Sequence, residues 1–251
     1  MYRLGTLIFC VIMLSQVLNA QQSYLHSASE LIRAISRDEP IDQYIEHLSK
    51  STVEELVEEL NTDDKIYAFW INIYNAFIQI ELRRDPTLYE KRGRFFKRAV
   101  IPIAGKKMSF SDIEHGIIRR SQWLIGLGFI RNPFPSSYKK KLRPQRKEYR
   151  IHFALNCGAK SCPPVAIYDY ARLDEQLRLA TERYLPQYTS YDQERNEVLT
   201  TPLFSWFRGD FGKKKGVKNI LHSLDLIPNT DVGLKFDDYD WSLHLDNFIE
   251  L

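Results

Sequence analysis

The sequence predicts an α+β fold that is mainly helical, with a small mixed or antiparallel sheet. Three observations support this prediction: capped amphipathic segments fill the first third of the chain, a long apolar segment covers residues 62–84, and short β-type runs are separated by glycine turns. The chain has 251 residues, of which 44% are hydrophobic, so it can bury a sizeable core. No linker-like or repetitive stretch divides residues 21–251, and we therefore expect a single domain.

The first 20 residues have the composition of a cleaved secretory signal. Arg3 is their only charged residue, residues 4–14 form an apolar run, and the small residue Ala20 closes the segment. The run is shorter than the roughly 20 apolar residues that a membrane-spanning helix needs. We expect cleavage near Ala20 and a secreted or periplasmic protein that retains two cysteines, Cys157 and Cys162.

Four helices are predicted in the N-terminal third. Three are short and amphipathic, and they cover residues 27–36, 41–48 and 53–60. Ser27 and Thr52 are suitable N-caps for the first and the third of them. The fourth begins at residues 61–64, has acidic residues in its first turn, and ends before Pro86.

The fourth helix is apolar on nearly every side between residues 66 and 82, which is typical of a buried central helix. Its polar residues Asn72, Asn75 and Gln79 have spacings that place them along one face. Buried amides need hydrogen-bond partners. Two interpretations remain open: the amides hold neighbouring loops against the core, or they form the polar wall of a pocket.

A β-hairpin and a further helix are predicted between residues 99 and 120. Residues 99–103 and 107–110 flank a turn that contains Gly105. Ser111 fits an N-cap with Glu114 at the third helical position, which is the arrangement of a capping box. His115 then lies in the second turn, where a histidine is more often a packing or surface group than a catalytic base.

A strand is predicted over residues 150–155, followed by a loop over residues 156–164 that Gly158 and two prolines interrupt. The two cysteines therefore lie at a strand end, where scaffolds commonly carry chemistry. The remaining predicted elements are a helix at 173–185, a hairpin from 188–191 and 197–200, and helices at 202–207 and 217–226.

One hypothesis for the cysteine loop is a thiol enzyme, in which Cys157 or Cys162 attacks an acyl centre after a histidine removes its proton. His152 precedes Cys157 by five residues, so the two side chains would point to opposite faces of a regular strand. His115 is the better base if its helix packs over the loop, and Asn72 or Asn75 would orient the imidazole. This arrangement resembles the logic of papain-like and transglutaminase-like enzymes, but the chain has no diagnostic motif of either.

The alternative is a structural disulfide between Cys157 and Cys162, which an exported protein permits and an even cysteine count suits. Four intervening residues that include Gly158 can turn back far enough to close it. A zinc site built from His152 and both cysteines is less favoured, because the spacing lacks paired ligands and no fourth ligand is evident.

Charge is unevenly distributed along the chain. Residues 91–150 contain 17 Lys/Arg and 3 Asp/Glu, whereas the rest of the chain after residue 20 contains 17 Lys/Arg and 29 Asp/Glu. The basic segment either pairs with the acidic remainder or forms a surface for an anionic envelope partner, such as phospholipid head groups or acidic polysaccharide. A nucleic-acid partner is not expected for an exported protein.

The chain resembles the family catalogued as domain of unknown function 547. Four motifs carry the resemblance in family order, namely residues 69–76, 111–119, 152–164 and 239–243. Together they span the chain from about residue 62 to residue 243. The resemblance implies one folding unit and relatives in bacteria, plants and animals, but it implies no reaction.

We therefore predict an exported protein with thiol-dependent acyl-transfer or hydrolase-like chemistry at the cysteine loop. The alternative is a non-catalytic envelope binding or interaction domain with a structural Cys157–Cys162 disulfide. No cofactor and no metal is expected. The candidate catalytic residues are Cys157, Cys162, His115 and His152, and the candidate binding residues are Asn72, Asn75, Asn156 and Lys160.

Overall fold

A computed structural model of the protein describes residues 23–251 and has the predicted architecture, a mainly helical α+β domain. The predicted signal, residues 1–20, lies outside the described residues. Among residues 23–251, no helix combines the length and the apolar character that crossing a membrane requires.

Three short helices open the described chain: α1 (Tyr24–Ser36), α2 (Asp42–Ser49) and α3 (Val53–Glu59). The predicted cap of α3 is confirmed, since Thr52 and Glu55 form a reciprocal capping box. The predicted cap of α1 is wrong. Ser23 caps that helix, while Ser27 is buried inside it and hydrogen bonds to His47 of α2 at 2.8 Å.

Helix α4 (Asp63–Arg84) is the predicted central helix, and the hydroxyl of Thr62 caps it by accepting from the backbone N–H of Lys65. Every residue from position 66 to position 79 is buried. Trp70 and Tyr74 are among the largest fully buried side chains of the protein. The helix is thus surrounded by the other elements, as its nearly uniform apolar composition predicts.

The amides of α4 bind the backbone of distant segments. Asn72 binds both backbone groups of Tyr168. Its Nδ2 donates to the carbonyl of Tyr168 at 2.8 Å, and its Oδ1 accepts from the backbone N–H of Tyr168 at 2.9 Å. Asn75 likewise donates to the carbonyl of Ala154 and accepts from the N–H of Asn156. The hydrogen-bonding interpretation is confirmed, and these amides fix the segment 154–156 against the core.

The predicted α-helix after Ser111 is a π-helix, Asp112–Ile118, and its predicted capping box is wrong. Ser109 and Asp112 cap each other instead, since each backbone N–H donates to the other's side-chain oxygen. The backbone N–H of Arg119 donates to the carbonyl of Glu114, five residues earlier, at 2.8 Å. The carboxylate of Glu114 is turned away from Ser111 and accepts a hydrogen bond from Tyr74.

The predicted strand at 150–155 is also wrong, because Tyr149–Phe153 forms a 3₁₀-helix. Glu148 caps it by accepting from the backbone N–H of Arg150, and its carboxylate also binds the Arg150 guanidinium. Asn75 then holds both sides of the following turn. Glu148 and Asn75 thus supply hydrogen-bond partners for the backbone of this segment, so it needs no neighbouring strand.

Within residues 23–251, five short strands form two sheets. Strands β1 (Ile101–Ile103) and β2 (Lys106–Met108) make the predicted hairpin. Strands β3 (Ser190–Asp192) and β4 (Glu197–Thr200) make the second predicted hairpin, and β5 (Gly233–Phe236) pairs in parallel with β4. The second sheet is therefore mixed, and β5 was not predicted.

Five further α-helices complete the described chain. They are α5 (Arg92–Phe95), α6 (Ser137–Leu142), α7 (Leu173–Gln187), α8 (Leu203–Trp206) and α9 (Lys213–Ser223). Additional 3₁₀-helices cover Pro86–Lys91 and Leu124–Gly126. The larger hydrophobic cluster surrounds α4, and a smaller one gathers Phe153, Phe204 and Phe211. Tyr239 packs against both clusters, so it marks their junction.

Candidate active site

A cavity of about 400 Å³, which we call the central pocket, lies where the two hydrophobic clusters meet. The aromatic residues of its lining are Tyr74, Phe96, Trp206, Phe207, Tyr239 and Trp241. Beside these aromatic residues, the lining includes six side chains with charged, reactive or hydrogen-bonding groups, namely Lys97, Ser111, Glu114, His115, His152 and Cys157. An apolar pocket with a few polar groups on one side is typical of small-molecule sites.

The π-helix places Glu114 and His115, two successive residues, in the lining of the same pocket. π-Helical turns are rare and occur often at functional sites, because the wider turn redirects side chains from their α-helical positions. Oε2 of Glu114 accepts from the hydroxyl of Tyr74 at 3.3 Å. Burial, together with the charge of Glu114, raises the pKa of Tyr74, so this phenol remains a donor.

Asp210 is the buried anion of the site. Its Oδ2 accepts from Nε of Arg119 at 2.7 Å and from Nε2 of His152 at 3.1 Å, and its Oδ1 lies 3.3 Å from Nζ of Lys147. Burial alone would raise its pKa, but the hydrogen bond from His152 and the charge of Arg119 outweigh burial. They hold the pKa of Asp210 well below its usual range, and the carboxylate is ionised.

The hydrogen bonds assign opposite proton positions to the two histidines. Nη1 of Arg119 lies 2.7 Å from Nδ1 of His115, and a guanidinium can only donate, so Nδ1 carries the lone pair and Nε2 carries the proton. Oε1 of Glu114 lies 3.5 Å from the same Nδ1, which is longer than a normal N–H···O hydrogen bond. His152 uses Nε2–H to donate to ionised Asp210, which leaves the lone pair on its Nδ1. Within residues 23–251, neither His115 Nε2 nor His152 Nδ1 has a hydrogen-bond partner.

Burial favours the neutral form of both histidines in the folded protein. Burial lowers the pKa of His115, and Arg119 adds to this effect, while Glu114 and Asp210 oppose it. Burial also lowers the pKa of His152 despite its hydrogen bond to Asp210. The site therefore combines one neutral imidazole that can accept a proton with another that can donate a hydrogen bond.

Aromatic packing fixes the orientation of the His152 ring. The ring stacks on Phe207 with centroids 4.0 Å apart, and Phe211 lies 5.1 Å away. The guanidinium of Arg119 lies over the same Phe207 ring at 4.5 Å. Phe207 thus contacts two of the three partners of Asp210, and the stacking leaves the His152 ring little freedom to rotate.

Cys157 and Cys162 form the disulfide that the alternative hypothesis predicted, with the sulfurs 2.13 Å and the Cα atoms 6.0 Å apart. Cys162 is buried, and its sulfur accepts from the hydroxyl of Tyr239 at 3.2 Å and from the backbone N–H of Cys157 at 3.0 Å. Within residues 23–251, no histidine nitrogen hydrogen bonds to either sulfur. The cysteines are thus occupied with each other and not with an imidazole.

The structure brings three of the predicted site residues together, because His115, His152 and Cys157 all line the central pocket. Cys162 is buried and does not line the pocket. Asn156 is buried, where its side chain donates to the carbonyl of Pro163 and accepts from the N–H of Gly158. Lys160 is exposed and lies 3.4 Å from a carboxylate oxygen of Asp240. The part of the chain that the structure describes contains no cluster of His, Cys, Asp and Glu suited to a metal ion.

Sequence reasoning missed Asp210 and Arg119, and it treated Glu114 only as a capping residue. Asp210 is 58 positions from His152, so no local spacing connects them. One signal was available: Asp210 lies between Gly209 and Phe211 in an aromatic segment, where a lone acidic residue is unusual.

Reduction of the disulfide should lower the free energy of unfolding by about 2 kcal/mol, which is the low end for native disulfides because the closed loop is short. Urea unfolding with and without a phosphine reductant measures the difference. The double variant Cys157→Ala, Cys162→Ala is the matched control, since its stability should not respond to reductant. A wild-type protein that is equally insensitive to reductant would contradict the disulfide.

The comparisons with known proteins identify a family. The sequence profile described as protein of unknown function, DUF547, matches residues 57–185, which contain three of the four motifs but not residues 239–243. No curated protein and no solved structure matches the chain. Since the profile covers half of the chain, the protein belongs to the DUF547 family.

Proposed function

We propose that the central pocket is the active site of an exported hydrolase that acts on a small acyl compound such as an ester. The observation that carries this proposal is the pair of complementary imidazoles: His152 with a free lone pair on Nδ1, and His115 with a proton on Nε2. Asp210 and Arg119 impose this pair before any substrate binds, which is the preorganisation that catalytic sites require.

In the proposed reaction, His152 Nδ1 removes a proton from a water molecule whose oxygen attacks the acyl carbon. Asp210 stabilises the imidazolium that forms, as the carboxylate of a catalytic triad does. His115 Nε2–H donates to the oxygen that becomes negative when the carbonyl bond opens. When the intermediate collapses, His152 returns the proton to the leaving oxygen, and the products are an acid and an alcohol.

The walls of the pocket suggest the substrate class. Its aromatic side chains favour an apolar acyl or alcohol group, and a volume of about 400 Å³ suits a small molecule. Glu114 and Lys97 place one acidic and one basic side chain in the lining, which favours a substrate without net charge. A neutral ester with a short hydrocarbon chain fits both conditions.

Thiol-dependent acyl transfer is a second candidate, because Cys157 lines the same pocket as the two histidines. In the oxidised protein the Cys157 sulfur is bonded to Cys162 and cannot attack. After reduction, the thiol of Cys157 would replace water as the nucleophile. A reductant should therefore increase turnover if this second candidate is right, and leave turnover unchanged or lower if water is the nucleophile.

The test is hydrolysis of a series of p-nitrophenyl esters of increasing acyl length by the purified protein. The His152→Gln variant should lose kcat by about 10²–10⁴-fold. The His115→Gln variant should lose about 10²–10³-fold, the range for one oxyanion donor. His244→Gln is the matched control, because His244 is exposed and does not line the central pocket. Equal rates for wild type and His152→Gln would exclude the proposal.

Export is part of the same proposal. It is supported by the composition of residues 1–20 and by the disulfide, since oxidised cysteine pairs persist mainly outside the cytosol. Mass spectrometry of the N-terminus of the protein recovered from cells tests it. A mature chain that begins just after Ala20 is expected, and an intact Met1 in a cytosolic fraction would contradict export.

A further inference from the structure

A loop beside the central pocket exposes an unusual amount of apolar surface. We call residues 121–135 the apolar loop. Ten large hydrophobic side chains are exposed within the described residues, and six of them belong to this loop: Trp123, Ile125, Leu127, Phe129, Ile130 and Phe134. Phe134 is 90% exposed and Ile125 is 77% exposed. Apolar patches of this kind mark interaction sites on soluble proteins.

The exposure is a fixed property of the loop, since hydrogen bonds hold its backbone. The backbone N–H of Trp123 donates to the carbonyl of Ile130 at 2.8 Å. The backbone N–H of Asn132 donates to the carbonyl of Ser121, also at 2.8 Å. The carbonyl of Leu127 accepts from the N–H of Gly209, which precedes the buried anion of the site. These bonds hold the loop outward, so its apolar side chains do not fold back into the core.

Three arginines surround the base of the loop without a neutralising carboxylate. Arg120 precedes the loop, Arg131 lies within it, and Arg143 donates to the hydroxyl of Ser121. Within residues 23–251, none of the three forms an ion pair, whereas Lys139, Lys141, Arg146 and Lys147 of the same basic region do.

Arg120 and Arg131 both lie close enough to Arg143 to repel its guanidinium group. Partial burial lowers the pKa of Arg143, and the positive charges of Arg120 and Arg131 lower it further. Residues 119–147 contain nine Lys/Arg and no Asp/Glu, so no acidic side chain of this segment offsets the cluster. An anion with several oxygens, such as a phosphate group, would relieve the repulsion.

We infer that the apolar loop docks the protein onto an anionic phospholipid bilayer, with lipid phosphates at the arginine cluster and the loop's aromatic and aliphatic side chains in the interfacial region. An acidic polysaccharide would satisfy the arginines but would leave the apolar side chains in water. A bilayer satisfies both, because its anionic headgroups lie directly above an apolar phase. Trp123 has the amphipathic character of residues that lie at this boundary.

The docked orientation also places the mouth of the central pocket near the lipid. Leu127 belongs to the apolar loop and lines the pocket as well. An apolar substrate dissolved in the bilayer would therefore have a short path to His152. Docking itself does not depend on the proposed hydrolysis, and its test involves no turnover.

Co-sedimentation with vesicles tests the inference. The protein should bind vesicles of mixed phosphatidylglycerol and phosphatidylcholine and bind pure phosphatidylcholine vesicles much more weakly. Phe134→Ser should weaken binding about tenfold, since one aromatic side chain no longer leaves water. Arg131→Gln should weaken binding about fivefold, the effect of one basic residue near an anionic surface. Both residues are exposed, so both variants are expected to fold.

Matched controls come from other surfaces of the same chain. Leu199→Ser removes an exposed apolar side chain of β4, and Lys214→Gln removes a charge of α9; both should bind like wild type. The emission of Trp123 should shift to shorter wavelength on binding, and this shift should disappear in Trp123→Ser. Inorganic phosphate and soluble glycerol phosphate should compete only weakly, because they offer no apolar phase.

Three results would overturn the inference. The first is vesicle binding that Phe134→Ser and Ile125→Ser leave unchanged. The second is equal loss of binding in the Lys214→Gln control, which would indicate a general charge effect. The third is stronger binding to a soluble acidic polysaccharide than to anionic vesicles, with the same arginine dependence, which would assign the cluster to a polysaccharide. Failure of ester hydrolysis would leave all three measurements unaffected.

Discussion

Replacement of Asp210 with asparagine is expected to lower the free energy of unfolding by about 3–5 kcal/mol, the cost of breaking a buried ion pair by removing one partner. The Arg119 side chain is 2% exposed, and without the carboxylate its charge would remain in the core without compensation. His152 would also lose the anionic, acceptor-only partner that fixes its proton on Nε2. Urea unfolding followed by circular dichroism measures the loss.

Two further variants show whether the loss arises from the ion pair. Asp238→Asn is the matched control, since Asp238 is exposed, and its stability should change by less than about 0.5 kcal/mol. The double variant Arg119→Met, Asp210→Asn should recover part of the stability, because no uncompensated charge remains. Strictly additive losses in the double variant would show that Arg119 and Asp210 do not depend on each other.

Stability should fall as the pH decreases below about 6.5, the ordinary pKa of histidine. His115 and His152 have pKa values lowered mainly by burial, so they stay neutral in the folded protein while the unfolded chain takes up protons. Stability from a lowered histidine pKa is complete above the unfolded value and is lost as the pH falls toward the folded value. Each imidazole contributes a slope of at most about 1.4 kcal/mol per pH unit.

The charged groups that face these imidazoles determine the pH range over which the histidines change the stability. Glu114, Arg119 and Asp210 face both rings. Asp210 has a lowered pKa, so its own contribution persists until the pH falls below the ordinary range of carboxyl groups, and the two effects separate. Urea unfolding at a series of pH values between 7 and 5 measures the histidine effect.

Histidine substitutions test this assignment. The variant His152→Gln should have a shallower dependence of stability on pH than wild type, and the variant with both His115 and His152 replaced should have almost none between pH 7 and 5. His244→Gln should keep the wild-type slope, because His244 is exposed. A wild-type protein whose stability is constant over this range would contradict the burial of two neutral imidazoles.

The parts of the fold that sequence predicted are those that local interactions determine. Thr52 and Thr62 cap their helices through bonds to residues three positions away. The central helix was predicted because a run that is apolar on every side can only be buried. The hairpin over residues 101–108 followed from a glycine turn between two β-type runs.

The errors occur where distant residues decide the local conformation. Residues 150–155 have the composition of a strand, but Asn75, some 80 positions earlier, binds the backbone of Ala154 and Asn156. Glu114 was predicted to cap its own helix, and Tyr74 draws its carboxylate into the pocket instead. Contacts between residues so far apart in the chain cannot be recognised from the local sequence.

The candidate site, like the fold, was predicted in part. His115, His152 and Cys157 were chosen for their chemistry, and the structure places all three in one pocket. Asp210 and Arg119 were not chosen, because their relation to the histidines exists only in three dimensions. The proton positions of the imidazoles depend on those two residues, so the chemistry of the site was not readable from the chain.

The π-helix Asp112–Ile118 makes the pocket sensitive to the number of residues in one turn. An α-helix closes its hydrogen bonds over four residues and this segment closes them over five, so it contains one residue more than an α-helical turn. Removal of a single position, such as Gly116, would let the segment rewind and would rotate Arg119 relative to Glu114. Among homologous sequences, a one-residue gap at this point would therefore separate proteins that retain the paired imidazole arrangement from proteins that share only the scaffold.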